Sequence, residues 1–101
     1  MQLEIGLTPF YAKGDERRFF QGLSEIAAIT DVRGVGRGLI LRINVRSLNK
    51  ETLIEFIALL RRYGISLAPL SVLAANKRFG WLKDERFNWY KNMFDAPTQP
   101  R

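Results

Sequence analysis

The residues with the most chemistry to offer lie between Arg78 and Phe94. Six of the chain's twelve aromatic residues fall there (Phe79, Trp81, Phe87, Trp89, Tyr90 and Phe94), interleaved with the cations Arg78, Lys83, Arg86 and Lys91. Aromatic faces set among cations can stack bases, fill a partner's pocket or close a small protein's own core. Trp89 and Tyr90 are adjacent, so neither helix nor strand geometry lets both face one core. One of the two is expected outside, where a ring beside Arg or Lys has the character of an interface anchor. The candidate partner-binding residues are therefore Arg78, Arg86, Trp89, Tyr90 and Lys91, with Trp89 the ring expected to be more exposed. Trp81 and Phe87 are expected to pack inward.

A second set is basic. Arg33, Arg37, Arg42 and Arg46 surround the glycines at 34, 36 and 38. These glycines lack both the GxGxxG spacing and the GxxxxGK[ST] of a phosphate loop, and the pattern that follows them is a strand rather than a helix start. A hairpin or bulge turn flanked by arginines accounts for them. On a strand running from Leu39 to Arg46, Arg42 and Arg46 share one face and extend a stripe begun by Arg33 and Arg37. These four are the candidate anion or nucleic-acid contacts. The run Arg37-Gly38-Leu39-Ile40-Leu41-Arg42 opens as the RNP1 pattern of RNA-recognition domains does, but leucines stand where stacking rings belong.

Much chemistry is excluded by absence. The chain has no histidine and no cysteine. That removes the usual general base, the commonest zinc ligand, every Ser-His or Cys-His pair, and any disulfide. The carboxylates are scattered over helix starts and exposed faces, with no pair flanking a cleft and no metal-ligand spacing. The expectation is a protein that is not an enzyme, with no catalytic residue, metal or cofactor.

Several elements would have to position these side chains. Leu3, Ile5 and Leu7 alternate with polar residues or glycine, as in a half-buried strand. Asp15 reads as the N-cap of a helix carrying Phe19, Leu23, Ile26 and Ala27. A short strand is expected around Thr30 to Arg33, and a clear one from Leu39. Asn49 caps a second helix whose stripe is Leu53, Phe56, Ile57, Leu60 and Tyr63, with Leu48 and Leu53 spaced as a hydrophobic staple and Gly64 as its stop. Ile65 to Ala75 reads as a further strand, made an edge or bulged strand by Pro69. Asp84 to Phe94 reads as a capped helix, with a hairpin pairing Phe79-Trp81 to Phe87-Trp89 as the alternative.

The resulting order, β-α-(β)-β-α-β, describes a small α+β two-layer sandwich with ferredoxin-like order. Without the short strand at Thr30 it becomes a three-stranded parallel βαβαβ sheet, similar in element order to the barstar family. An aromatic C-terminal helix or hairpin follows either version. The domain expectation is one globular domain over 1–94 and a flexible tail over 95–101.

Charge points to partners. The net charge is +6, concentrated from Arg33 to Arg62, with seven basic and two acidic residues, and from Lys77 to Lys91, with five and two. Such a field attracts nucleic acid, an anionic surface or an acidic protein. No basic start followed by a long apolar run is present, so a soluble cytoplasmic protein without membrane insertion is expected. The leading expectation is a non-enzymatic protein-binding module, such as an adaptor, an inhibitor or a toxin-neutralising immunity-type protein. A basic nucleic-acid-binding domain is the alternative. A homodimer through an edge strand near Ser66 to Leu73 is a further expectation.

Overall fold

The structure is a computed structural model that describes residues 1–10 and 12–94. It divides into two compact units, Met1–Ile65 and the residues from Ser66 on. The tail expected over 95–101 lies outside the described residues.

The first unit is mixed α+β. Its strands are β1 (Gln2–Gly6), β2 (Ile29–Val35) and β3 (Gly38–Ile43), and its helices are α1 (Lys13–Ser24) and α2 (Lys50–Arg62). The sheet order is β1-β3-β2, and both pairings are antiparallel. An all-antiparallel sheet replaces the parallel βαβαβ alternative: the chain turns straight back from β2 into β3, leaving no room for a crossover helix. That turn is Gly36-Arg37, with φ positive at Gly36 and not at Arg37, as a glycine-first hairpin turn requires.

One face of the sheet is buried. Leu3, Ile5, Leu39, Leu41 and Ile43 are almost fully shielded, while Glu4 and Arg42 on the opposite face are exposed. The helices contribute Phe19 and Leu23 from α1 and Leu53, Phe56, Ile57, Leu59 and Leu60 from α2. In α2 the Asn49 side chain accepts from Thr52 N–H at 2.8 Å. The helix stops at Gly64, with φ +71, where Gly64 N–H donates to Arg61 C=O and Ile65 N–H to Leu60 C=O. These two bonds form a Schellman motif and satisfy carbonyls the helix would otherwise leave open.

Three boundaries differ from expectation. Helix α1 is capped at Ala12, so Asp15 and Glu16 lie inside its first turn, where their charge suits the helix dipole. Strand β3 ends at Ile43, and Arg46 sits in a 3-10 turn over Val45–Ser47 that Asn44 initiates by accepting from Arg46 N–H. Strand β2 continues to Val35, beyond the expected Arg33.

The second unit contains no strand among its described residues. Ala68–Ala75 and Lys77–Lys83 are 3-10 segments, followed by α3 (Tyr90–Phe94). The strand expected over Ile65 to Ala75 fails for a periodic reason: Leu67, Leu70 and Leu73 are buried, then Phe79 and Leu82. Their spacing is in threes, which matches a 3-10 turn and not the two-residue alternation of a sheet. The homodimer expected through an edge strand near Ser66 to Leu73 loses its strand. The helix expected from Asp84 is confined to Tyr90–Phe94, and the hairpin alternative is absent, because Lys77–Lys83 is helical in type. Asn92 Oδ1 accepts from Leu67 N–H at 3.0 Å, tying α3 to the start of the unit.

Candidate functional site

Of the six rings in the aromatic stretch, Phe79 and Trp89 are buried and Trp81, Phe87, Tyr90 and Phe94 are half-buried. Phe87 and Trp89 stack at 4.3 Å with planes 10° apart, and Trp81 meets both edge-on at 5.9 and 6.3 Å. Trp89 is only 8% exposed, and its indole N–H is buried without a hydrogen-bond partner. The expectation that Trp89 is the exposed ring is corrected: three mutually packed rings close this unit, and Trp89 is the innermost of them. Tyr90 is half-buried and packs on Phe94 at 5.1 Å.

Two cations of this stretch are separately engaged. The Arg78 guanidinium lies 4.9 Å from the centre of the Phe79 ring. Arg86 grips Asp84, with Nε donating to Oδ1 at 3.0 Å and Nη2 to Oδ2 at 2.6 Å, while Asp84 Oδ1 also accepts from Arg86 N–H. The Arg86 hydrogen bonds hold the Asp84 carboxyl at about 2, below the ordinary 3.8, and raise the Arg86 guanidinium in turn. Of the five candidates, Arg86, Tyr90 and Lys91 line one shallow groove of about 410 Å³. Trp89 and Arg78 do not line it.

The arginine stripe does not assemble. Arg33 and Arg42 share the outer sheet face, but so do Asp31 and Glu4, in the rows Gln2–Arg42–Asp31 and Glu4–Ile40–Arg33. Arg33 Nε donates to Asp31 Oδ2 at 3.2 Å. Two arginines and two carboxylates leave this face without a net positive field, and no strand carries a ring on which a base could stack. Arg37 stands apart in the hairpin turn and Arg46 beyond the strand.

What the first unit does present is an open edge. Leu7 N–H donates to Arg37 C=O at 3.0 Å, so the Arg37 carbonyl points toward β1. Peptide groups alternate along a strand, which aims Leu39 and Leu41 at β1, and Gly38 and Ile40 at β2. Arg33 and Val35, opposite Ile40 and Gly38, therefore bond to β3, whereas Val32 and Gly34, opposite Leu41 and Leu39, turn their N–H and C=O groups outward. The Thr30 hydroxyl, donating to Arg42 C=O at 3.3 Å, fits the same alternation.

No strand flanks β2 on that side among the described residues, and every residue from Thr30 to Val35 is exposed. Val32 and Val35 are 36% and 43% exposed, large for apolar side chains. A Cβ built on Gly34 meets nothing within 4 Å, although Gly34 is on the face that buries Leu39. Gly34 and Val35 lie beyond the strand expected around Thr30 to Arg33; Val32 lies within it but carries no sequence signal of an exposed edge. The strand's length is set by the hairpin turn at Gly36-Arg37, which was visible.

A groove of about 730 Å³ is lined by Thr8, Pro9, Phe10, Asp15 and the α2 end from Arg61 to Gly64. Among the described residues that line it, Asp15 is the one carboxylate, and it pairs with Arg18 at 3.4 Å. Among the described residues no cluster of three metal-ligating side chains occurs, and no helix is long and apolar enough to cross a membrane. No protein family, curated protein or solved structure matches the chain.

Proposed function

We propose that this protein is a non-enzymatic protein-binding module that takes an extended partner segment onto the free edge of β2. One observation carries the reading: Val32 and Gly34 aim hydrogen-bonding groups at solvent from a strand exposed throughout Thr30 to Val35. Exposed edges template pairing with another chain, and proteins ordinarily blunt them with proline, lysine, bulges or cover. The β2 edge has no proline or lysine; what it carries is the bulge between Ile29 and Asp31, at the end of the strand away from the hairpin, and the charges of Asp31 and Arg33, which offset each other. Strand addition draws affinity from main-chain bonds and specificity from alternate side chains. Here Val32 would contact the added strand on one face, and Asp31, Arg33 and Val35 on the other.

Val32→Pro is the discriminating variant, because it deletes an outward N–H and leaves the β2·β3 bonds intact. Displayed random peptides should enrich for extended, β-branched sequences on the wild type and not on Val32→Pro. Enrichment that ignores the proline would overturn the edge as the site. Binding of a single-stranded oligonucleotide that weakens steeply with salt, with no peptide enriched, would favour the nucleic-acid alternative.

A further inference from the structure

We infer that one occupant of the β2 edge is the β2 edge of a second copy of this chain, paired antiparallel about a two-fold axis at Val32. The inference rests on the edge-binding reading above and adds a particular partner and register.

Self-pairing of a strand is constrained by two conditions, and β2 meets both. First, the residue on the two-fold axis must direct its N–H and C=O outward if it is to form a hydrogen-bonded pair with itself. Val32 does so, by the alternation fixed at Arg37. Second, the side chains brought opposite one another must be compatible. Centring on Val32 sets Asp31 opposite Arg33 of the second copy and Arg33 opposite Asp31 of the second copy. Both contacts are non-hydrogen-bonded pairs, where side chains approach most closely. Opposite charges therefore meet twice. The neighbouring Thr30 falls opposite Gly34 of the second copy, where Gly34 has open space around its Cα.

The apolar side chains agree with this register. Val32, 36% exposed, meets its own symmetry mate on the face where Leu41 is buried. A centre at Asp31 or Arg33 would instead oppose like charges across the axis and present a residue whose main-chain groups already bond to β3. The two three-stranded sheets would join into one continuous antiparallel sheet, with each Asp31–Arg33 ion pair of 3.2 Å exchanged for, or shared with, an intermolecular one.

The test is sedimentation of the full chain over a concentration series, using Asp31→Arg and Arg33→Asp. Each alone should raise the concentration for half-dimerisation by about tenfold or more, since like charges then face each other twice. An equimolar mixture of the two variants should restore association to near the wild-type level. Within each variant chain the 31–33 pair stays repulsive, so recovery on mixing reports pairing between chains. Val32→Lys places like charges on the axis and should also abolish the dimer.

A wild type that stays monomeric up to about 1 mM overturns the proposal. So does a dimer indifferent to these variants, or a mixture that fails to recover. A monomeric wild type that still enriches peptides through Val32 overturns self-association alone and leaves the binding-module reading standing.

Discussion

Phe87 and Trp89 stack face to face, 4.3 Å between centroids and 10° from parallel, over a segment with no strand and only one short helix. Two residues apart, they fold the chain back on itself, and Trp81 seals the pair from its edge. This packing gives Trp89 a structural role within the aromatic-cationic stretch. Trp89, which the sequence offers as an anchor, instead closes a unit with no strand among its described residues.

Trp89→Ala should therefore destabilise the protein by about 3–5 kcal/mol. Trp89→Phe should cost about 1 kcal/mol or less, because it keeps an apolar ring against Phe87 and removes a buried N–H that has no partner. Denaturant unfolding of both variants checks the contrast. Equal losses, or no loss for alanine, would show that Trp89 is not held as described.

Glycines 34 and 38 sit near the end of the hairpin, opposite Leu39 and Val35 respectively, and should respond in opposite ways. A Cβ on Gly38 would overlap the Ile5 carbonyl oxygen on β1, a backbone atom that cannot step aside without breaking the pairing. Gly38→Ala should cost about 2 kcal/mol or more. Gly34→Ala should be neutral or slightly stabilising, since its Cβ enters open space and alanine constrains the unfolded chain. Thermal unfolding monitored by circular dichroism would measure both.

Much of the first unit was legible because its signals are local and redundant. Asn49, the α2 stripe and Gly64 each specify the same helix, and the Leu39–Leu41–Ile43 alternation specifies a strand with one buried face. In the second unit the apolar run from Ile65 to Ala75 suggests a strand, with Pro69 marking it as an edge, and the structure has 3-10 turns there instead. The three-residue spacing of Leu67, Leu70, Leu73, Phe79 and Leu82 carried the better signal. The arginine stripe was misjudged for a different reason. Sequence gives the charges on one strand, whereas neutralisation by Asp31 and Glu4 arises from cross-strand register, which only the sheet order supplies.

Asp84 provides a titration with a definite sign. Its folded carboxyl sits at about 2 against 3.8, so the Arg86 contact stabilises the fold above the unfolded value and that contribution is lost as pH falls through about 2. Asp84→Asn should flatten the acid limb of the stability curve between those values and lower stability by a constant amount above them, small because an exposed pair is well screened. Carboxyl-carbon NMR of Asp84 checks the value directly. A midpoint near 3.8 would show that the two-pronged grip of Arg86 does not persist in solution.

The central claim, an open β2 edge used for docking, is tested most directly by residue-resolved amide hydrogen exchange in dilute protein. Arg33 and Val35, whose N–H groups bond to β3, should exchange slowly, while Val32 and Gly34, alternating with them, should exchange fast. Raising the protein concentration, or adding an enriched peptide, should slow Val32 and Gly34 selectively. Uniformly slow exchange from Val32 to Val35 in dilute protein, unchanged by concentration or peptide, would mean the edge is already covered and would contradict the account.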